Sequence, residues 1–309
     1  MANYLITGAA GFIGAAVAKR LLEQGDRVVS IDNLSTGYRE NIPDGVEFFA
    51  SDCQDPEVLK EIPRLAYDAI LHIAGQSSGE ISFSDPVYDL RTNTESTLLL
   101  LDYARQVGCH RFLYASTMSV YGVKPDRAIS EDESAHPESF YGVGKLASEE
   151  YLRIYERFGI RSTALRLFNV YGPGQNMTNF RQGMVSIFMA QMLDAQHVLV
   201  KGSKDRYRDF VYIDDVVDAF ELCLQRPESA GMAFNIGTGR RTSIEELLAL
   251  MTRLYGKEVP VEFKGNTPGD IHGIYADIRR AENLLGFRPM YDLETGLNKM
   301  IGWASSSHS

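Results

Sequence analysis

A tyrosine and a lysine spaced by one helical turn are the residues best suited to proton transfer in this chain. Tyr141 and Lys145 open a predicted helix that extends to about residue 158, so the phenol and the ammonium share one face. A free phenol titrates at about 10, and a base useful near neutrality needs a pKa roughly three units lower, or about 4 kcal/mol. One ammonium at ~6 Å, in an effective dielectric of ~20, supplies about 2.8 kcal/mol. Tyr141 therefore needs a second positive charge besides Lys145.

The same spacing also occurs where a surface tyrosine stands beside a solvated lysine, so the pair gains meaning only from its surroundings. Thr117 follows a predicted strand, residues 111–116, and stands at its carboxyl end. A hydroxyl group at a strand end, beside a Tyr-Lys pair, favours the interpretation that Thr117, Tyr141 and Lys145 act together in catalysis. The rest of the chain has to position this group against a cofactor and a substrate.

The segment at residues 4–14 predicts a strand, a glycine turn and the start of a helix. Gly8 permits the sharp exit from the strand, Gly11 lets backbone N–H groups approach phosphate oxygens, and Gly14 allows the helix to pack close to the sheet. The helix N-terminus adds roughly half a positive charge aimed at the same place. A plain strand-turn-helix is the alternative, but a second apolar strand at residues 26–31 ends in Asp32. An acid there binds ribose hydroxyls and repels a 2′-phosphate, which favours NAD over NADP.

Other polar or small residues follow the predicted strands at residues 46–50 and 68–74. Asp52 and Cys53 come after the first of these, where Asp52 either reaches the adenine or caps the next helix. Ile73, Ala74, Gly75 and Gln76 mark the end of the second, while His72 fits better as a packed core residue. Ligands of open parallel sheets bind outside the carboxyl ends of the strands. Five of these ends, at Gly8, Asp32, Asp52, Gly75 and Thr117, are therefore expected to meet at one site.

The positive ring of oxidised NAD is a candidate for the missing second charge beside Tyr141. If it supplies that charge, the Tyr141 pKa rises when the ring is reduced, so that the enzyme holds proton and hydride together. This is a hypothesis, and equal Tyr141 pKa values in the oxidised and reduced complexes would refute it.

Composition excludes several other classes of protein. The net charge of −10 and the absence of basic blocks argue against a nucleic-acid partner. Cys53, Cys109 and Cys223 are odd in number and widely spaced, which favours free thiols in a reducing, cytoplasmic setting. Neither the cysteines nor the six histidines show metal-ligand spacing, so no metal is expected. No long apolar run or signal pattern is seen, so no membrane association is expected.

Taken together, these motifs resemble the extended short-chain dehydrogenase/reductase superfamily, and within it the nucleotide-sugar 4-epimerases. The resemblance covers nearly the whole chain and includes the three glycines, Asp32-Asn-Leu-Ser, Ser116-Thr117-Met-Ser-Val-Tyr121-Gly and the Tyr141-Lys145 pair. It implies a bound NAD, with Tyr141 as acid and base, Lys145 on the nicotinamide ribose and Thr117 on the sugar oxygen that is oxidised. The cofactor residues it implies are Gly8, Gly11, Phe12, Ile13, Gly14, Asp32, Asn33, Ser35, Gly37, Asp52, Cys53, Ile73, Ala74, Gly75, Gln76, Asn93, Tyr141 and Lys145.

The second half of the chain is expected to hold the nucleotide sugar. Arg208 matches a family arginine that pairs with the diphosphate, the alternative being a structural pair with Asp209 or Asp214. Residues 198–200 are predicted as a short strand whose side chains flank a pyrimidine. The expected substrate residues are Ser77, Thr117, Tyr141, Asn169, Met184, Val185, Val198, Val200, Arg208 and Asp270.

Two departures from the family pattern bear on the reaction. Thr267 stands where the family usually has an arginine, so one diphosphate contact is either missing or supplied by Lys264. Met118 and Ser119 stand where the related 4,6-dehydratases have an Asp-Glu pair. A thioether and a hydroxyl offer no acid suited to expelling a sugar hydroxyl, which argues against dehydration.

We therefore expect an α/β enzyme with a doubly wound (Rossmann) parallel sheet and a smaller α/β substrate domain. Residues 1–170 with 210–238 are assigned to the NAD domain, and residues 171–209 with 239–309 to the substrate domain. The expected reaction is inversion at C4 of a UDP-hexose or UDP-N-acetylhexosamine through a 4-keto intermediate. A nucleotide-ketosugar reductase and a silent NAD-sensing protein are the alternatives.

Two further expectations concern the sugar and the assembly. Ile274 aligns with a position whose size separates hexose from N-acetylhexosamine enzymes, and its intermediate size leaves both open. The family commonly pairs as dimers through two long helices, here predicted at residues 86–107 and 141–158.

Overall fold

The structure, a computed structural model, describes residues 1–194, 197–265, 269 and 271–307. Its strands are β1 Asn3–Thr7, β2 Arg27–Asp32, β3 Glu47–Ala50, β4 Ala69–His72, β5 Arg111–Thr117, β6 Ala128–Ile129, β7 Arg161–Leu167, β8 Asn169–Tyr171, β9 Val198–Val200, β10 Tyr207–Arg208, β11 Phe210–Tyr212, β12 Met232–Ile236, β13 Thr242–Ser243, β14 Val261–Phe263 and β15 Tyr275–Ala276. Its α-helices are α1 Phe12–Glu23, α2 Val58–Glu61, α3 Gly79–Ser84, α4 Pro86–Leu90, α5 Ser96–Val107, α6 Phe140–Tyr155, α7 Met184–Asp194, α8 Ile213–Gln225, α9 Ile244–Tyr255, α10 Arg279–Leu285 and α11 Leu293–Ser307.

Seven strands form one parallel sheet in the order β12-β7-β5-β4-β1-β2-β3. The chain starts at β1, moves outward through β2 and β3, and then crosses to β4 on the other side of β1. This reversal of direction leaves a crevice at the carboxyl ends of β1 and β4, where doubly wound folds bind ligands. The predicted fold class is confirmed.

Helices cover both faces of the sheet, because the strands are apolar on both sides and neither face can remain in water. One core cluster packs α1, α8 and α10 against the sheet, with Val17, Phe220 and Leu285 among its buried residues. The other packs α2, α5 and α6 against the opposite face, with Leu101 and Leu152 among them. The two layers fix the strand ends relative to one another and so define the crevice.

A third cluster lies outside the large sheet and joins α7, α9 and α11 to β9 through residues such as Met189, Leu248 and Met300. The expected division of the chain into two domains stays a prediction. One assignment within it needs correction. Helix α10, which the sequence analysis placed in the smaller domain, packs against α8 and β12 of the large sheet, because Ala281 and Leu285 supply an apolar face to that core.

The long helix expected at residues 86–107 is interrupted. It consists of α4, a π-helical turn at Arg91–Glu95, and α5. A π turn inserts one extra residue, which rotates the side chains before it relative to those after it. Asn93 lies in the middle of this turn and is fully buried. The interruption therefore changes which polar side chains point toward the crevice.

Candidate active site

The glycine turn after β1 is shaped for close approach of another group. Gly8 has φ +89°, a left-handed conformation, and a Cβ atom on Gly14 would lie 2.0 Å from the Gly8 carbonyl oxygen. Only glycine at position 14 lets α1 begin this close to the strand. Gly11 is the N-cap of α1, and a glycine has no side chain with which to cap the first N–H groups. A helix N-terminus of this kind, at the crevice, fits the diphosphate of a dinucleotide.

The five strand ends singled out in the sequence all line one cavity of about 550 Å³. Gly8, Asp32, Asp52, Gly75 and Thr117 therefore come together as expected. The other expected cofactor residues in the same lining are Gly11, Phe12, Ile13, Gly14, Asn33, Ser35, Cys53, Ile73, Ala74, Gln76, Tyr141 and Lys145.

Gly37 and Asn93 were also expected to bind the cofactor. Neither residue lines the cavity, but each packs against the segments that form its wall. A Cβ on Gly37 would lie 2.4 Å from the Ala10 carbonyl oxygen, so Gly37 packs against the glycine turn. The Asn93 amide nitrogen donates to the Gln76 carbonyl oxygen at 2.9 Å. A Cβ on Gly75 would lie 2.4 Å from the Asn93 side-chain oxygen. These two residues shape the cavity wall.

The adenosine end of the cavity is organised by two carboxylates. Asp32 accepts hydrogen bonds from the backbone N–H groups of Ala10 and Leu34, at 3.0 and 2.8 Å. Asp52 accepts from the Asn33 amide at 2.9 Å and from the Gln54 backbone N–H at 3.1 Å. Asp52 does not cap α2, whose N-cap is residue 57, so the capping alternative is not realised.

The predicted catalytic trio lies in the same cavity, below the end of β5. Tyr141 is 8% exposed and Lys145 is 3% exposed. The Lys145 ammonium donates to the Ala115 carbonyl oxygen at 3.0 Å and lies 5.9 Å from the centre of the Tyr141 ring. The Thr117 hydroxyl oxygen accepts from the Ser119 backbone N–H at 3.1 Å. These contacts fix the positions of the Lys145 ammonium and the Thr117 hydroxyl.

Burial acts on the phenol and the ammonium in opposite directions. Desolvation raises the pKa of Tyr141 to about 12, while a hydrogen bond with Thr117 partly opposes this rise. Desolvation lowers the pKa of Lys145 to about 8, and the nearby Asp89 carboxylate opposes it. Both effects favour the neutral form of the group. The phenol is thus further from a useful base than the sequence estimate assumed, and its need for a positive charge is greater.

His72 occupies a structural position, as the sequence analysis favoured. It is fully buried, its Nδ1 shares a hydrogen bond with the Thr7 hydroxyl at 2.7 Å, and its Nε2 shares one with the Ser96 hydroxyl at 3.2 Å. Desolvation lowers its pKa to about 3, so the ring is neutral. It joins the ends of β1 and β4 beneath the crevice.

A second cavity, of about 520 Å³, continues from the first and is expected to hold the sugar nucleotide. Seven residues line both cavities: Ser77, Met118, Ser119, Asn169, Gln182, Gly183 and Met184. Of the expected substrate residues, Ser77, Asn169 and Met184 are in this shared set. Val185 lines the first cavity and Arg208 the second. Asp270, and with it the departure at Thr267, lies outside the described residues.

Two expected substrate residues point away from the site. Val198 and Val200 are fully buried in the third core cluster, and it is Leu199, 39% exposed, that lines the second cavity. Successive side chains of a strand point to opposite faces, so Leu199 faces the cavity when Val198 and Val200 face the core. Ile274, expected to report on the size of the sugar, is buried in a fourth cluster with Phe168 and lines neither cavity.

Among the residues that the structure describes, Arg208 forms an ion pair with neither Asp209 nor Asp214, its two structural alternatives. Arg208 is buried and donates to the carbonyl oxygens of Tyr207, Ile271 and His272. The Asp209 carboxylate is held instead by Thr238, Gly239 and Ala276. A structural ion pair with Asp209 is therefore not the reason for a basic residue at position 208.

Several polar residues of the cavity were not identified from the sequence. They belong to the loop between β8 and α7 and are Gln175, Asn176, Asn179 and Gln182. A run of amides after a Gly-Pro-Gly turn is the signal that could have identified them, because so many hydrogen-bonding groups in one loop need partners.

Within the described ranges, no group of three or more potential metal ligands is found. Over the same residues, no helix is both long enough and apolar enough to span a bilayer.

A dinucleotide cradle at the switch point of a parallel sheet, with a Tyr-Lys pair and a threonine at its edge, defines an NAD-dependent enzyme of the extended short-chain dehydrogenase/reductase type. The family model described as "NAD dependent epimerase/dehydratase family" matches residues 4–237. The chain belongs to this family.

Known relatives cover the whole length of the chain. The UDP-glucose 4-epimerase of Mycolicibacterium smegmatis is 35% identical, with 96% of each chain covered. Among solved structures, the UDP-glucose 4-epimerase of Thermotoga maritima with UDP-glucose is 35% identical, covers 99% of this chain and all of its own, and has a TM-score of 0.95. The UDP-N-acetylglucosamine 4-epimerase of Methanobrevibacter ruminantium is 26% identical, covers 99% of each chain and has a TM-score of 0.92.

Proposed function

We propose that this protein is an NAD-dependent UDP-sugar 4-epimerase, an isomerase that inverts C4 of a UDP-hexose, with UDP-glucose and UDP-galactose as the substrate pair. The observation that carries the proposal is the meeting of two cavities beside Thr117, Tyr141 and Lys145. One cavity fits a dinucleotide, and the other has room for a nucleotide sugar. The 35% identity to two UDP-glucose 4-epimerases supports the choice of sugar.

Each member of the trio has a role that follows from its surroundings. Tyr141 takes the proton of the C4 hydroxyl and returns it after the sugar has turned. Thr117, whose hydroxyl lowers the pKa of Tyr141, orients the sugar oxygen. Lys145 is held by the Ala115 carbonyl and stabilises the phenolate. Bound NAD supplies the hydride acceptor and, in its oxidised form, a positive ring charge.

The residues beyond Thr117 support epimerisation over dehydration. Met118 and Ser119 line both cavities, where a dehydratase needs an acid to protonate the leaving hydroxyl. Neither side chain is such an acid. The ketosugar formed at this site therefore keeps its remaining hydroxyl groups and is reduced again.

A cofactor-free assay tests the proposal. Purified protein is mixed with UDP-galactose without added nucleotide, and UDP-glucose is measured by chromatography together with the NAD carried by the protein. We expect conversion to a fixed ratio of the two sugars from either direction. Turnover that appears only when stoichiometric NAD(P)H is added would contradict the proposal and favour a ketosugar reductase. Turnover confined to the N-acetylated pair would retain the reaction and change the substrate.

A further inference from the structure

Asp89 is a buried carboxylate one layer behind the catalytic residues. It is 1% exposed and lies in α4, just before the π turn at Arg91–Glu95. Its Oδ1 atom accepts two hydrogen bonds, from the Gln76 amide at 2.7 Å and from the Asn93 amide at 3.1 Å. Gln76 lines the cofactor cavity and Asn93 shapes its wall, so Asp89 holds two parts of the site at once.

The π turn that follows Asp89 is docked against α6 on both sides of Lys145. The Thr94 hydroxyl donates to the Gly144 carbonyl oxygen at 3.3 Å, and the Ser148 hydroxyl donates to the Asn93 carbonyl oxygen at 3.0 Å. A Cβ on Gly144 would lie 3.1 Å from the Thr94 hydroxyl and 3.6 Å from the second carboxylate oxygen of Asp89. A side chain at position 144 would therefore require the Thr94 side chain to shift by a few tenths of an ångström, and Asp89 packs against the backbone next to Lys145.

Asn93 and Lys145 both lie close to Gly75. A Cβ on Gly75 would lie 2.4 Å from the Asn93 side-chain oxygen and 3.4 Å from the Lys145 nitrogen. Asp89 is hydrogen-bonded to Asn93, so the carboxylate, the amide and the ammonium form one cluster around Gly75.

The charged and titratable groups around Lys145 come from several elements. His72 of β4 is buried and neutral, the Cys53 thiol and the Tyr141 phenol are buried, and the Tyr114 ring centre lies 4.7 Å from the ammonium. Glu149 of α6 is already engaged, since it pairs with Arg166 at 2.7 Å. In the part of the chain that the structure describes, no cation lies within 4 Å of the Asp89 carboxylate. Its charge is therefore available to act on Lys145.

We infer that Asp89 is a positioning residue for the reaction: its carboxylate orders Gln76 and Asn93, and its charge keeps the buried ammonium of Lys145 protonated. The inference deepens the proposed function and rests on it for the role of Lys145. Burial alone drives Lys145 toward its neutral form, and among the groups that oppose this Asp89 has the largest effect. A neutral Lys145 would no longer stabilise the Tyr141 phenolate.

Replacement of Asp89 by asparagine tests the charge separately from the hydrogen bonds. Both bonds are made to Oδ1, which an asparagine oxygen can still accept, so Asp89→Asn removes mainly the charge. We expect the alkaline limb of kcat/KM in the NAD-loaded enzyme to move down by about one pH unit. The direction follows because a negative neighbour raises the pKa of an ammonium, and its loss lowers it. Asp89→Ser, which is also neutral but smaller, is the second variant in case the first does not fold.

Direct titration of Lys145 separates this inference from the proposed function, because it requires no turnover. The protein, carrying its cofactor, is labelled with [ε-13C]lysine, and the Lys145 resonance is identified by its loss in Lys145→Met. The titration midpoint should fall by about one pH unit in Asp89→Asn. Asp215→Asn is the matched control, because Asp215 is also 1% exposed and its carboxylate accepts hydrogen bonds from the backbone N–H groups of Met290 and Tyr291, far from Lys145 in the chain. An unchanged Lys145 midpoint in a folded Asp89 variant would overturn the inference.

Discussion

At the scale of single residues, the site requires the ionised forms of two side chains, Tyr141 and Lys145, whose burial favours the neutral forms. Tyr141 and Lys145 are both almost fully buried, so the protein interior favours a protonated phenol and a neutral amine. Efficient proton exchange needs the opposite arrangement, a phenolate beside an ammonium. Local charges and the cofactor must provide the difference, and for this reason groups one layer away from the substrate are important.

Removal of the Tyr141 hydroxyl should separate chemistry from binding. In Tyr141→Phe the ring still fills its buried position while the proton carrier is lost, so kcat should fall by about 10²- to 10⁴-fold. The NAD content of the purified protein should stay near that of the parent, because the cradle is unchanged. Tyr103→Phe, in the core cluster that packs α2, α5 and α6 against the sheet, is the control. Turnover within tenfold of the parent in Tyr141→Phe would refute its role as the acid and base.

Site residues at strand ends were predicted from the sequence far more accurately than residues whose side-chain orientation depends on packing. Gly8, Asp32 and Thr117 were found because the carboxyl ends of parallel strands must meet. Val198 and Val200 were not placed correctly, because a three-residue strand gives no sign of which parity faces the core. Asp89 was not predicted as a site residue, because a single acidic residue in a helical segment is usually exposed to solvent. Its burial arises from contacts with distant residues.

At the scale of elements, the glycine turn and α1 act as one rigid unit. A Cβ on Gly14 would lie 2.0 Å from a backbone oxygen that cannot move without displacing β1 or α1. Gly14→Ala should therefore open the cradle, abolish co-purification of NAD and lower the free energy of unfolding by about 1–3 kcal/mol. Denaturant unfolding and NAD content measure the two effects.

Gly302 in α11 has no atom within 4 Å of its built Cβ, so Gly302→Ala should instead stabilise by about 0.5–1 kcal/mol. Retained NAD in Gly14→Ala would contradict the cradle.

The elements that the sequence predicted are those with strong, local patterns. Strands β1 to β5 of the large sheet were expected, because each is a run of apolar residues ended by turn residues. The two-stranded pairs outside it, such as β10 with β13 and β6 with β15, are only two residues long and leave no periodic signal. The π turn was likewise not foreseen, since one inserted residue does not alter the composition of a helix.

At the scale of the whole molecule, the loop between β8 and α7 connects the two regions of the protein across the cofactor cavity. The Asn176 amide donates to the Thr36 carbonyl oxygen at 3.0 Å, and the Tyr38 hydroxyl shares a hydrogen bond with the Thr178 hydroxyl at 2.7 Å. At the other end of the loop, the Ser78 hydroxyl donates to the Arg181 carbonyl oxygen at 3.0 Å. We expect these bonds to keep the loop closed over a ligand in the cavity.

This arrangement predicts faster cofactor release when the connection is weakened. Asn176 also accepts hydrogen bonds from Thr178 and Asn179, so Asn176→Ala removes the bond to Thr36 and loosens the loop itself. One or two such bonds correspond to about a tenfold increase in the rate of NAD release. The rate is measured by diluting the loaded protein and assaying free NAD over time. Gln106→Ala, which removes an exposed hydrogen bond on α5, is the control. An equal release rate in both variants would mean that the loop does not retain the cofactor.

The expected dimer predicts that an exposed apolar surface on α4 and α6 is covered by a second copy of the chain. Val87, Leu90 and Val143 are 60%, 57% and 52% exposed, although α4 and α6 pack against each other. A stable interface of this kind buries roughly 800 Å² on each partner, and two glutamates at its centre would place unpaired charges there. The double variant Leu90→Glu with Val143→Glu should therefore sediment as a monomer at micromolar concentration and keep its NAD. Leu284→Glu, at a site 40% exposed on α10, should behave like the parent. A parent protein that sediments as a monomer, or a double variant that remains dimeric, would show that this surface is not the interface.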